Sequence, residues 1–407
     1  MQVKQKWQKL KLSEIAYVNS SSLSKNFSFS EIEYVDISSV GTGILEETKM
    51  MSIDEAPSRA KRLVKKGSTI LATVRPNRRS FYYISQPPDN MVVSTGFAVI
   101  DAKQKIDSRF LYYLISNQNF TDYLVSHAKG AAYPAVDSAT IKNAKVSIPV
   151  LELQQKIASI LSAFDDLIEN NTKRIKILEN TAQLIYKEWF VDFKFPNHEK
   201  IKMVDSGTEF GDIPEGWEVK ELSQVAKVNM GQSPKSEYYN DIEEGLPFHQ
   251  GVTNFNNRFP THSKYCTAEK VRIADEGDIL FSVRAPVGRI NIAPSELVIG
   301  RGLSAIRDLE NHQAFLLYQL KHIFYKDNLL GNGAIFAAIT SKDLKSVHVL
   351  LPNHKLKVEF EKSAGKIDAE IKILTDSNTN LKTTRDLLLP KLVSGKVEVD
   401  NLQILTN

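Results

Sequence analysis

The sequence predicts a mixed α+β protein: two repeated α/β domains separated by two long, antiparallel, coiled-coil-like helices, with a pseudo-two-fold internal repeat. Three observations carry that reading. The chain repeats itself at a long period, which fixes architecture before any motif does. Each half runs through strand-like segments and then switches to a helical pattern. The two helical patterns share one heptad spacing, and each seam carries a single asparagine.

The repeat starts at tryptophan. WQKLKLSEIAYVN from Trp7 is answered by WEVKELSQVAKVN from Trp217, with Asn19 matching Asn229. KKGSTILATVRP (65–76) answers DEGDILFSVRAP (275–286), and TGFAVI (95–100) answers RGLSAI (301–306). From Gly130 the offset settles: GAAYPAV (130–136) faces GAIFAAI (333–339), and Pro149 faces Pro352. This divides the chain into a first domain (1–150), a first long helix (151–193), a connector (194–216), a second domain (217–353), a second long helix (354–395) and a tail (396–407). The connector mixes Pro, Gly and charge and reads as exposed.

The first helical seam is Ile157, Leu161, Phe164, Ile168, Asn171, Ile175, Leu178, Ala182, Ile185 and Trp189. The second is Phe360, Ala364, Ile367, Ile371, Leu374, Asn378, Leu381, Arg385, Leu388 and Leu392. A parallel pairing would bury each asparagine against an aliphatic side chain, which is costly. An antiparallel pairing with flush ends sets Ile157 against Leu392, Trp189 against Phe360 and Asn171 against Asn378, so the amides satisfy each other and fix the register. Arg385 then falls opposite Phe164, the imperfect layer, from which its guanidinium could extend to solvent or into a partner. The alternative is two separate amphipathic helices, each packed on its own domain.

The 407 residues, 42% apolar and 25% charged, suffice for two cores. The single cysteine, Cys266, makes neither an internal disulfide nor a zinc site. No apolar run approaches the roughly 18 residues of a membrane span, and MQVKQKWQKL lacks the apolar stretch of a signal peptide, so the expected location is the cytoplasm. The net charge of +4 is concentrated early: residues 1–150 hold 20 Lys and Arg against 13 Asp and Glu. That excess permits an anionic partner.

Candidate DNA-binding residues follow from position. In each half a strand leads into a basic turn, with Arg75, Arg78 and Arg79 in the first and Arg284 and Arg289 in the second. Guanidinium forks suit both phosphate and the O6/N7 edge of guanine. A solvated turn is the bland reading of any one arginine; recurrence at one topological place is what raises the other. Loop 229–240 adds Gln232, Ser233 and Lys235, with Lys25 as the first-half counterpart of Lys235. HQGVTNFNNRF (249–259) adds Gln250, Asn254 and Arg258, and Arg301 precedes Gly302. Signs of catalysis are few. GTGILE (41–46) lacks the third glycine of a dinucleotide fingerprint, and there is no GxxxxGK[ST] or HExxH. Asp368, Glu370 and Lys372 have a nuclease-like spacing but read as a solvated helix face.

The phrases PVLELQQKIASILSAFDDLIENNTKRIKILENTAQLIYKEWFVDF (149–193), GQSPKSEYYN (231–240), FSVRAPVGRINIA (281–293), IGRG (299–302) and LLLPKLVSGKVEV (387–399) resemble the specificity subunit of type I restriction-modification enzymes over essentially the whole chain. The first domain, whose turn reads VRPNRRS and which has no GQSP phrase, departs furthest. The resemblance implies a non-catalytic subunit whose two target-recognition domains each read one half of a split, asymmetric double-stranded DNA target, with the helices setting the unread spacing. It further implies docking of two methyltransferase subunits and association with motor-nuclease subunits. S-adenosylmethionine, ATP and Mg would serve the complex, with no cofactor or metal on this chain. On that reading Tyr186 and Phe190 are candidates for partner contacts, and equally for core.

Two rivals differ in class. A self-contained DNA-modifying enzyme would need a cofactor loop and an N/D-P-P-Y/F/W tetrapeptide, and the nearest match, QPPD at 86–89, fails. A scaffold binding acidic protein would lack the steep salt dependence that phosphate contacts impose.

Overall fold

The computed structural model describes residues 7–24, 26–325, 338–397 and 399. Two helices dominate, Leu151–Phe190 and His354–Val393, each of 40 residues and so about 60 Å long at 1.5 Å per residue. Residues group into two compact units, Met1–Asn171 with Ser377–Asn407, and Thr172–Asp376, and the division falls inside both helices. Among the described residues no helix is long and apolar enough to cross a membrane.

In the first unit, Gln8–Lys11 pairs antiparallel with Lys145–Ile148, so the start of the repeat closes on its end. One four-stranded sheet runs Ala16–Val18, Phe97–Ala102, Thr69–Ala72, Phe81–Tyr83. A second runs Lys49–Ser52, Glu31–Val35, Met91–Ser94, Ala60–Leu63, and its central pair is parallel. The middle strands TILA and FAVIDA are apolar almost throughout because both faces are covered. Asp107 and Asn117 then start two helices, Ser108–Ser116 and Gln118–His127, by accepting first-turn N–H groups.

The second unit repeats this order. Glu218–Glu221 pairs with His348–Leu351. A four-stranded sheet runs Ala226–Met230, Leu303–Asp308, Ile279–Ser282, Ile290–Ile292, and a five-stranded one contains the parallel pair Leu246–His249 and Leu297–Ile299. Within the stretch read as an exposed connector, Met203–Asp205 pairs with Asp212–Pro214, and Phe195 is buried with its ring 5.4 Å from that of Trp217.

Both long helices are anchored to their domains by side chains at matching places in the repeat. Gln154 is buried; its amide donates to Pro149 O at 2.8 Å and accepts the Asp107 N–H at 2.9 Å. Lys357, 203 residues on, is also buried, with Nζ 3.1 Å from Asp308 Oδ2. About three turns further along each helix, Tyr113 donates to Asp165 at 2.5 Å, and Tyr318 donates to Asp368 at 2.7 Å.

Every heptad position of both seams is buried or half-buried. Asn171 Nδ2 donates to Asn378 Oδ1 at 3.0 Å, each residue 8% exposed. The Trp189 and Phe360 rings stand 6.2 Å apart, edge to face. The structure decides two readings left open and corrects a third, that of Asp368. Arg385 does not reach for solvent: its guanidinium pairs with Asp165 at 2.6 Å and Asp386 at 2.8 Å, because the carboxylate beside Phe164 offers a partner in the same layer. Asp368 is no solvated residue, since it takes the Tyr318 hydroxyl and the Arg258 guanidinium. Tyr186 and Phe190 are core. Helix Gln313–Tyr325 covers their flank, and Phe190 meets Phe315 at 4.9 Å and Phe360 at 5.2 Å between ring centroids.

Candidate nucleic-acid interface

In the second repeat the parallel strands Leu246–His249 and Leu297–Ile299 end side by side, so their following loops begin together. Gly300 N–H donates to His249 O at 2.8 Å and Gly302 N–H to Gln250 O at 2.9 Å. The GQSP loop joins them. Gly231 N–H donates to Leu303 O at 2.9 Å, Gln232 N–H to Ile299 O at 3.0 Å, and Ser233 Oγ accepts the Arg301 N–H at 3.1 Å. Approach is close enough to require glycine: a Cβ on Gly231 would stand 2.2 Å from Gly300 O, and one on Gly302 2.4 Å from Gln250 O. The side chains of Gln232, Gln250 and Arg301 are exposed at this cluster.

The basic turn abuts it, since Val283 N–H donates to Gly302 O at 2.9 Å. Arg284 and Arg289 are exposed, and the turn between them is fixed from inside: Ser282 Oγ donates to Pro286 O at 2.6 Å and accepts the Arg289 N–H at 2.8 Å. Tyr239 stacks on Phe248 at 4.5 Å and donates to Pro234 O at 2.6 Å, tying down the far end of GQSP. Lys235 is exposed and 3.8 Å from the Glu237 carboxylate, a loose pair that solvent screens.

Beneath Gln250 lies a pair that sequence reasoning missed. His249 Nε2 and His262 Nδ1 are 2.9 Å apart, a hydrogen bond that requires at least one neutral ring. Burial, with His262 beside it, pushes His249 down to about 4, and burial lowers His262 as well. The pair thus braces both ends of the 250–261 loop. Arg258, expected to face DNA from this loop, is instead buried, its side chain 3% exposed and paired with Asp368 and, at 3.7 Å, Glu179 on the long helices. A guanidinium with carboxylates in reach stays with them rather than crossing to a distant phosphate. Asn254 donates to Ser263 Oγ at 2.5 Å.

The first repeat is organised differently. Lys25 lies outside the described residues. Arg79 turns inward, donating to Ser116 O at 2.9 Å, where it caps the C-terminal end of helix Ser108–Ser116. Arg78 is exposed, and the half-buried Arg75 lies over the ring of Tyr133 at 4.3 Å. The basic turns share a place but not a position. Thr73 N–H donates to Gly96 O as Val283 N–H does to Gly302 O, so Arg284 corresponds to Val74 and Arg75 to Ala285.

The family model of the type I restriction modification DNA specificity domain matches residues 4–180 and 214–382, one match for each repeat. A Methanocaldococcus jannaschii protein named for the MjaX type I restriction enzyme specificity subunit is 37% identical over 304 residues, 73% of this chain and 70% of that protein. The HindI specificity subunit of Haemophilus influenzae is 23% identical over 466 residues, 96% of this chain and 99% of its own. The crystal structure of the type I restriction-modification S subunit from M. genitalium has the same fold at 16% identity, with a TM-score of 0.61 over 96% of this chain and 97% of that one. The chain belongs to the type I restriction-modification DNA specificity family.

Proposed function

We propose that this chain is the specificity subunit of a type I restriction-modification complex, with no catalytic activity of its own. Each repeat reads one half of a split, asymmetric duplex target. In the second repeat Gln232, Ser233, Gln250, Arg284, Arg289 and Arg301 supply the donors and acceptors, with Lys235 at the rim. The observation that carries this reading is the convergence of three glycine-bound loops on one exposed set of amide and guanidinium groups. Amides pair with adenine and guanidinium groups with guanine or phosphate. Family membership supports the rest: the long helices set the unread gap and dock two methyltransferase subunits, which motor-nuclease subunits join. S-adenosylmethionine, ATP and Mg chemistry belongs to those partners, and the complex works in the cytoplasm.

Two assays test the reading. The purified chain, incubated alone with labelled S-adenosylmethionine and DNA, transfers no methyl group on this account, and transfer without a partner refutes it. With its methyltransferase subunits it shifts duplex DNA with an affinity that falls steeply as salt rises, whereas a salt-insensitive or absent shift favours a scaffold.

A further inference from the structure

The basic turn of the first repeat and the segment 129–136 are clipped together. Arg75 N–H donates to Pro134 O at 2.6 Å and Val136 N–H to Thr73 O at 2.9 Å, while Lys129 and Ala135 exchange both backbone bonds at 2.9 Å. Gly130 closes the segment at φ +100°, where a Cβ would stand 2.9 Å from Tyr133 O. This clipped loop holds Tyr133 66% exposed, outside every core cluster, with the Arg75 guanidinium against its face. Among the described residues no carboxylate pairs with Arg75, while Arg78 and Lys129 are exposed on the same two segments. The clip recurs in the second repeat, where Ile339 N–H donates to Val283 O at 2.9 Å beside the exposed Arg284.

The geometry points to Arg75 and Tyr133 as one reading element, in which Tyr133 holds the Arg75 guanidinium flat so that it donates two hydrogen bonds to a guanine of the first half-site. Stacking uses the face of the guanidinium and leaves its in-plane N–H groups available to O6 and N7. An exposed aromatic ring gains nothing for the core and restricts the arginine before DNA arrives. Arg75 makes the contact; Tyr133 is a positioning residue. The inference rests on the function proposed above.

The test uses the full chain with its methyltransferase subunits and reads the methylated motif from a randomised DNA library. Arg75→Ala and Arg75→Lys should each lose discrimination at one guanine of the first half-site by roughly tenfold or more, with the second half-site and the gap unchanged. Tyr133→Ala should lose about two- to fivefold at the same guanine, and Tyr133→Phe should retain it, because only the ring is needed. Unaltered discrimination in Arg75→Ala or Tyr133→Ala overturns the inference, as does a loss spread equally over both half-sites. Intact second-half reading shows that a variant is folded. If the underlying reading is wrong, the wild-type complex itself yields no split motif.

Discussion

Arg284 and Arg289 leave opposite ends of a turn held from within by Ser282, so truncating either removes a guanidinium without loosening the backbone. Each Ala variant should therefore relax reading at one position of the second half-site by about 1–3 kcal/mol and leave the first alone. Methylation maps check this, and an unchanged motif contradicts it. His249 adds a pH dependence of folding. Its pKa falls from 6.5 to about 4 on folding, so the unfolded chain binds more protons between those values. The associated stability is complete above pH 6.5 and drains away as pH falls toward 4, by roughly 3 kcal/mol at most. His262, lowered too, contributes with the same sign. Urea midpoints at pH 7.5 and 5 should show a smaller pH slope for His249→Gln than for wild type; equal slopes contradict the assignment. Residue type made the arginine turns legible in the sequence. It could not separate Arg258 and Arg79 from the readers, because a guanidinium fits a carboxylate or a helix end as well as a phosphate, and those partners lie 110 and 37 residues away in the chain. Tyr133 and the histidine pair carried no local signal at all.

At the scale of elements, the two helices were the most legible part, because heptad spacing names the buried face directly and the matched asparagines select antiparallel over parallel. Replacing Asn171 by Ile removes the hydrogen bond that Asn378 Oδ1 accepts inside the buried seam and should cost about 1–3 kcal/mol. The double Ile variant should recover most of that, giving a coupling energy of about 0.5–3 kcal/mol, while a cycle with no coupling removes the pair from any role in register. The flanks of the seam were less legible. Periodicity places Tyr186 and Phe190 beside the seam but does not say that helix Gln313–Tyr325 lies there to bury them, nor that Asp165 waits beside Phe164 for Arg385. Those outcomes depend on tertiary neighbours that no spacing encodes.

At the scale of the molecule, the repeat predicted two like α/β halves; that each half holds one antiparallel four-stranded sheet and one sheet with a parallel pair was not legible in the sequence and comes from the structure. The ungapped match of 65–76 to 275–286 already sets Arg284 against Val74 and Arg75 against Ala285, and the equivalent backbone bonds of Thr73 to Gly96 and Val283 to Gly302 keep that offset in the structure. If the helices set the gap between half-sites, removing seven residues from each shortens them by about 10 Å and the recognised gap by about three base pairs. Full activity on the original spacing contradicts that role. The most direct measurement is a genome-wide methylation map of cells carrying this chain with its methyltransferase. The account predicts one asymmetric motif in two specified parts separated by an unread gap of constant length; a contiguous motif, or two parts at varying distance, would contradict it.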